Sequence, residues 1–299
     1  MRARLTETPI REPLTERLKR PPTEQVEVHW LGQAGFVIDI AGMRLVIDPY
    51  LSDSLAAKYR NTARPHVRMM PAPVLPNEIF HVDLVLCTHA HTDHMDPGTL
   101  PLLLATNPGA RLIAPRAVAA QAMERSGAQG DRLTLARAGE PISPAMGIEI
   151  MPTRAAHEML EADADGNHRF LGYAIRTEGN CIWHSGDCIP FDGLEDEVRQ
   201  LRPDVALLPV NGRRPELSQN GVPGNFSLHE AITVARHVGA ADLIAHHYGL
   251  FDFNTERPEI IDAEIAATTG LGLHRARTDI LYTLQNEQPA FRCTARPCS

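Results

Sequence analysis

The chain has 299 residues, 43% of them hydrophobic, enough to bury the core of one large α/β domain or two ordinary ones, and this excludes disorder for its bulk. Its 29 basic against 37 acidic residues leave a net charge of −8, which repels phosphate backbones and argues against nucleic acid as a partner. Apolar runs are broken well before membrane-spanning length and Met1 to Arg20 carries no apolar signal stretch, so no membrane insertion and a cytoplasmic location are expected.

Residues 1–25 are polar and punctuated by proline, including Arg20-Pro21-Pro22. They read as an N-terminal arm or subunit contact outside the core, compatible with a homo-oligomer, and leave one domain over 26–299. Strand signals crowd from His29 through 35–40 and 43–47, with Ala41-Gly42 as a hairpin turn, and the last of these runs into Asp48-Pro49. The apolar run 82–87 is a buried strand, followed by a helix over 97–106 for which Asp96-Pro97 supplies cap and first-turn proline. A strand at 111–114 and a helix at 115–126 closed by Gly127 complete this alternation. Strands recur at 132–135, 148–152, 170–176 and 181–185. The end alternates again: helix 194–201, strand 205–209, and a helix opened by Ser227 with Glu230 three residues on, a capping box. Strand 243–246, a helix over 258–269 closed by Gly270, and strand 280–284 finish the chain. Two halves, each of hairpins followed by βα units, imply an α/β fold with two sheets face to face and helices outside, a four-layer αββα sandwich.

Five scattered cysteines (Cys87, Cys181, Cys188, Cys293, Cys298) form no CxxC pair, so neither a disulfide framework nor a four-thiolate zinc module is expected. The chemistry concentrates instead in His89-Ala90-His91-Thr92-Asp93-His94, three imidazoles and a carboxylate in one loop after a strand. Alternate residues of extended backbone share a side, so His89 and His91 can share an ion, while Asp93 and His94, at the turn, face a neighbouring one. Further ligands belong after other strands, where His157, Asp187 and the pair His246-His247 stand. Taken alone, His157 reads as a solvated loop histidine and Asp187 equally as a turn residue after Gly186 or a ligand; beside the HxHxDH loop both become ligand candidates.

These residues resemble the metallo-β-lactamase-fold hydrolases over roughly 29–284. The likeness rests on Asp48 after a strand, the His89-His91-Asp93-His94 set, His157, Asp187 within His184-Ser185-Gly186-Asp187, and His247 in His247-Tyr248-Gly249. Within that superfamily the chain looks most like the L-ascorbate-6-phosphate lactonase branch, through Trp30-Leu31-Gly32, His184-Ser185-Gly186-Asp187, Asp204-Val205-Ala206-Leu207 and His246-His247. Gly32-Gln33-Ala34-Gly35 and His247-Tyr248-Gly249 are similar to the N-acylphosphatidylethanolamine phospholipase D type. The resemblance implies that His89, His91 and His157 hold one metal, that Asp93, His94 and His247 hold another, and that Asp187 bridges them. It implies that Asp48 orients a ligand imidazole, with His184 expected in the same role. Cys188, next to Asp187, faces the opposite way along the strand and is expected to pack.

Two divalent ions, Zn2+ or Mn2+, suit this thiolate-free ligand set. Such a pair supplies a hydroxide near neutral pH and a clamp for attacking and leaving oxygens, with Asp93 and Asp187 as the catalytic carboxylates. Between Asp48 and the buried strand, the proline-rich stretch 51–80 carries Lys58, Arg60, Arg64 and Arg68 with no acidic residue among them. It reads either as a solvated or subunit-contact loop or as a flap whose Arg60, Arg64 and Arg68, with Arg213 elsewhere, receive the anionic group of a small-molecule substrate. The function expected is a dinuclear metal-dependent hydrolase that uses metal-bound hydroxide to open a lactone or ester of a small phosphorylated or acidic sugar. The alternatives are a phosphodiesterase of the phospholipase D type and a non-hydrolytic metal-binding sensor.

Overall fold

The computed structural model describes residues 3–285. Cys293 and Cys298 lie outside the described residues, and Cys87, Cys181 and Cys188 are buried free thiols. Among the described residues no helix is long and apolar enough to cross a membrane.

In chain order the strands are β1 (Arg4–Pro9), β2 (Glu27–Gly32), β3 (Gly35–Ile40), β4 (Met43–Ile47), β5 (Val82–Leu86), β6 (Arg111–Pro115), β7 (Leu133–Ala136) and β8 (Ile142–Ala145). They continue as β9 (Ile148–Arg154), β10 (Leu171–Arg176), β11 (Cys181–His184), β12 (Val205–Pro209), β13 (Asp242–His246), β14 (Gly272–Arg275) and β15 (Ile280–Gln285). The helices are α1 (Leu14–Leu18), α2 (Ser54–Lys58), α3 (Leu100–Thr106), α4 (Ala119–Ser126), α5 (Leu194–Arg199), α6 (Pro215–Ser218), α7 (Leu228–Val238) and α8 (Pro258–Ala267). One sheet runs β1-β15-β2-β3-β4-β5-β6-β7 and the other β14-β13-β12-β11-β10-β9-β8. In each, a parallel βα portion adjoins an antiparallel one.

The period-two pattern of the first sheet explains the layering. Phe36, Ile38, Leu45, Ile47, Leu84 and Leu86 face inward onto Ile150, Tyr173 and Trp183 of the second sheet. The residues between them, Val37, Val46 and Val85, face outward onto Leu14, Leu100, Leu103 and Leu104. On the far side α7 covers β12 and β13, opened by the expected capping box of Ser227 and Glu230. The result is the αββα sandwich that the alternation of elements predicts.

Residues 3–25 do not form the expected arm outside the core. β1 pairs antiparallel with β15, Ala3 and Leu5 enter the core between the sheets, and Leu14 and Leu18 of α1 enter the outer core. Only Leu5 of β1 is buried, so the strand has no hydrophobic alternation to betray it; its ladder bonds and Leu5 hold it at the sheet edge. Arg4 and the backbone N–H of Leu5 reach the buried Asp242 carboxylate, at 3.3 and 3.1 Å, which ties this edge to the second sheet.

Candidate metal centre

The six-residue histidine loop follows β5, and the other candidate ligands follow β9, β11 and β13, all at the carboxyl ends of strands. Several turns there need special backbone. Asp48 and His247 adopt positive φ of 43° and 62°. Gly186, at +64°, could carry no side chain, because a Cβ would stand 2.6 Å from the carbonyl oxygen of Leu171.

Two groups of side chains converge. His89, His91, His157 and Asp187 form one, and Asp93, His94 and His247 form the other; within each, the potential ligand atoms lie within 4.8 Å of one another. Asp187 stands between the two groups. Its Oδ2 is 3.3 Å from His94 Nε2 and 3.4 Å from His157 Nε2, and its Oδ1 is 3.2 Å from His247 Nε2. Asp93 Oδ2 is 3.8 Å from both His94 Nε2 and His247 Nε2.

The far nitrogens of these rings explain the aim of the near ones. Asp48 receives the backbone N–H and the hydroxyl of Thr88, at 2.8 and 2.6 Å, and His94 Nδ1 at 2.7 Å. Having given its hydrogen to Asp48, the Thr88 hydroxyl accepts from His89 Nδ1 at 3.0 Å. His157 Nδ1 donates to the carbonyl of Gly224 at 3.0 Å. In all three rings Nδ1 carries a proton and Nε2 is the nitrogen aimed at the group; in the neutral rings of His89 and His157 it presents a lone pair. Nε2 of His89 and of His94 is buried without a hydrogen bond. Buried polar atoms rarely stay unpartnered, and converging imidazole lone pairs and carboxylates are what a divalent cation satisfies. The residues present therefore fit the expected ions.

The electrostatics keep His89 and His157 neutral and His94 protonated, so a cation at His94 Nε2 would take the place of a proton. Burial, with His94 and His91 nearby, pushes His89 well below the usual histidine range, and burial holds His157 down at about 4. Burial also opposes charge on His94, but Asp187, Asp48 and Asp93 outweigh it and hold its pKa well above the ordinary value. For Asp187 burial favours the neutral acid, yet His247 and His94 hold the carboxyl well below the usual range.

His184 does not orient a ligand imidazole as expected. Its Nε2 donates to the carbonyl of Ala34 at 3.0 Å and its Nδ1 accepts the backbone N–H of Gly186 at 2.9 Å, so it braces the β2–β3 turn and the turn carrying Asp187. His246 points into the core against Phe36, leaving His247 to the site. Cys188 packs in the core, its thiol pushed up to about 12 by burial.

A cavity of about 760 Å³ opens above this floor, lined by Asp93, His91, His157, Asp187 and His247. Its wall brings in Gln33, Lys58, Tyr59, Arg64, His66, Phe251 and Phe253. His66 stacks on Tyr59 with centroids 4.2 Å apart and meets Phe251 and Phe253 edge-on, an aromatic cluster that no periodic signal announced. Of the expected anion-binding arginines only Arg64 lines the cavity, with Nη2 3.3 Å from the carbonyl of Glu216. Arg60 lines a separate surface depression beside Asp53 and Val67. Arg68 is spent on structure: it donates to the carbonyls of Tyr50, Ser52 and Met70 and lies over the Tyr50 ring. Arg213 grips both oxygens of Glu230 and the carbonyl of Asn225. Sequence reasoning missed Gln33, His66 and the part of Lys58; the GQAG turn was the one available signal for Gln33.

The chain belongs to the β-lactamase superfamily: the family described as "Beta-lactamase superfamily domain" matches residues 43–248. Its relatives include a UPF0173 metal-dependent hydrolase of Caldivirga maquilingensis, 26% identical over 231 residues that span 77% of this chain and 85% of that protein. N-acyl-phosphatidylethanolamine-hydrolyzing phospholipase D 1 of Caenorhabditis elegans is 24% identical over 236 residues, 76% of this chain and 64% of that protein. Igni18, a metallo hydrolase of Ignicoccus hospitalis, shares the fold at a TM-score of 0.64 and 20% identity, over 88% of this chain and all of that one.

Proposed function

We propose that this protein is a dinuclear metal-dependent hydrolase that opens a lactone or ester of a small anionic, sugar-like substrate. The observation that carries the reading is the pair of ligand groups joined through Asp187 beneath a cavity whose wall presents Lys58 and Arg64. His89, His91 and His157 would hold one Zn2+ or Mn2+ ion, Asp93, His94 and His247 the other, and Asp187 would join both. When bound, two such ions supply a strong nucleophile from water at neutral pH and a Lewis acid for the carbonyl oxygen.

The chain's own residues do the rest. Asp48, through Thr88 and His94, and Gly224, through His157, fix the orientations of the rings before any ligand arrives. Asp93 lines the cavity and is 17% exposed, so its carboxylate can accept a proton from the attacking water. Lys58 lies over the Tyr59 ring and Arg64 donates to the carbonyl of Glu216, and neither forms an ion pair among the described residues, leaving their charge to hold a substrate carboxylate or phosphate.

The test combines metal analysis of the purified protein with a screen of sugar-acid and phosphosugar lactones against neutral esters. Retention of about two equivalents of metal and preference for the anionic lactones support the reading; a protein that binds neither zinc nor manganese overturns it. A phosphodiesterase is the second reading, favoured by the likeness to the nematode phospholipase D. Faster hydrolysis of bis-p-nitrophenyl phosphate than of every lactone selects it.

A further inference from the structure

Gln33 occupies an unusual place. It sits in the turn between β2 and β3 with φ +49°, after a register irregularity between Trp30 and Gly32. A bulge and a left-handed non-glycine residue both cost free energy and commonly re-aim a side chain next to a functional site. The turn is pinned from two sides. The carbonyl of Gln33 accepts Trp30 Nε1 at 2.9 Å and the backbone N–H of His247 at 3.0 Å. The side chain is buried, yet it lines the cavity. Its amide nitrogen lies 2.8 Å from Asp93 Oδ2 and 3.2 Å from His247 Nε2, two potential ligand atoms of the same group.

An amide nitrogen carries two hydrogens. One belongs to the Asp93 carboxylate. The other reaches His247 Nε2 only while that nitrogen keeps its lone pair, because an imidazole nitrogen that has given its lone pair to an ion accepts no hydrogen bond. We propose that Gln33 is a positioning residue of the Asp93–His94–His247 group that changes partner on metal loading: it orients Asp93 throughout, and loading releases its second N–H into the cavity for a substrate oxygen. The inference rests on the metal-dependent reading for the identity of the group, and its last clause on the hydrolase reading. It makes Gln33 a donor beside the centre that is available only when the centre is filled.

Two variants separate the two roles. Gln33→Leu removes donor and acceptor at similar length, and Gln33→Glu keeps an oxygen next to the group but has no N–H to give. Zinc alone, titrated against a chromophoric chelator, is the first readout, with circular dichroism and thermal melting to confirm folding. For Gln33→Leu one of the two zinc equivalents weakens about tenfold while the other is unchanged. Gln33→Glu holds both at least as tightly as the parent, since it adds negative charge beside the site. The second readout is hydrolysis at saturating zinc, where both variants lose about 10²-fold in kcat/KM. Wild-type zinc affinity in a folded Gln33→Leu overturns the positioning role, and wild-type kcat/KM in Gln33→Glu overturns the donor role. Failure of the hydrolase reading looks different: no protein, the parent included, turns over any substrate, while the zinc titration still decides the positioning role.

Discussion

On the floor of the cavity His89, His94 and His157 each commit Nδ1 to an acceptor on another residue, whereas on the wall Lys58 and Arg64 reach the cavity with no carboxylate partner among the described residues. The floor hangs on strand ends, with the rings of His89, His94 and His157 held by partners fixed in the sandwich. The wall is built from the long connection after β4 and from the segment around Phe251, held by aromatic contacts and backbone carbonyls. The difference separates two kinds of information. Chemistry that tolerates little misplacement sits on rigid elements, and selectivity sits on loops that can change without disturbing the scaffold.

The sharpest way to break this division is to cut the floor at its centre. Asp187→Ala removes the one carboxylate that both groups share; turnover should fall by about 10³-fold or more and bound metal should drop, with the fold retained by circular dichroism. Full metal content and activity in that variant would end the dinuclear reading. Asp48→Ala should do less, lowering metal affinity or activity by about 10- to 100-fold, because it frees Thr88 and the rings of His89 and His94 to turn.

A third prediction guards the comparison against confusing stability with site chemistry. Far from the cavity, His274 Nδ1 lies 2.7 Å from Glu7 on β1 and Nε2 lies 3.1 Å from Asp242 on β13, with Arg4 on the other side of Asp242 and the Tyr282 ring edge-on. Burial opposes its charge, but the bonds to Asp242 and Glu7 outweigh this and raise its pKa from 6.5 to about 9. A raised folded-state value stabilises fully below pH 6.5 and is lost as pH climbs through about 9. His274→Gln should therefore cost about 1–3 kcal/mol at pH 6 and much less at pH 10, read by chemical denaturation at the two pH values. An equal cost at both would remove the ionic explanation.

The wall should respond more gently. Joint replacement of Lys58 and Arg64 by alanine should raise KM for an anionic substrate about tenfold and leave a neutral ester unchanged. Arg60→Ala, outside the cavity, should change either by less than about twofold. Should Arg60 matter as much as Arg64, the wall is wrongly drawn.

The same division explains what could be read beforehand. His89, His91, Asp93 and His94 are neighbours in sequence, so their spacing announced them, and the strand runs before Asp48, Asp187 and His247 placed the remaining candidates at the same end of the fold. The strands of the inner layers were legible because Phe36, Ile38, Leu45 and Ile47 alternate with outward-facing residues. The arginines were not. Nothing local distinguishes Arg68, whose guanidinium is consumed by carbonyls of Tyr50 and Ser52, from Arg64, which lines the cavity. Likewise Arg213 looked free until α7 brought Glu230 to it. Pairing across long sequence separation decides such roles, and a single run of residues does not contain it. β1 escaped for a related reason, since five of its six residues lack burial and its partner strand lies some 275 residues away.

That last pairing bears on how the molecule is made. Residues 4–9 form the edge of a sheet only by joining residues 280–285, which in turn cover the flank of β2. During synthesis β2 therefore shows an unpaired edge until residue 285 has left the ribosome, and the first strand waits longest of all for its neighbour. Such late closure slows folding and exposes a template for intermolecular pairing. Arg4, Thr6, Glu7 and Thr8 keep that waiting segment, Arg4-Leu5-Thr6-Glu7-Thr8-Pro9, polar and Pro9 ends it, a composition that discourages nascent chains from zipping together.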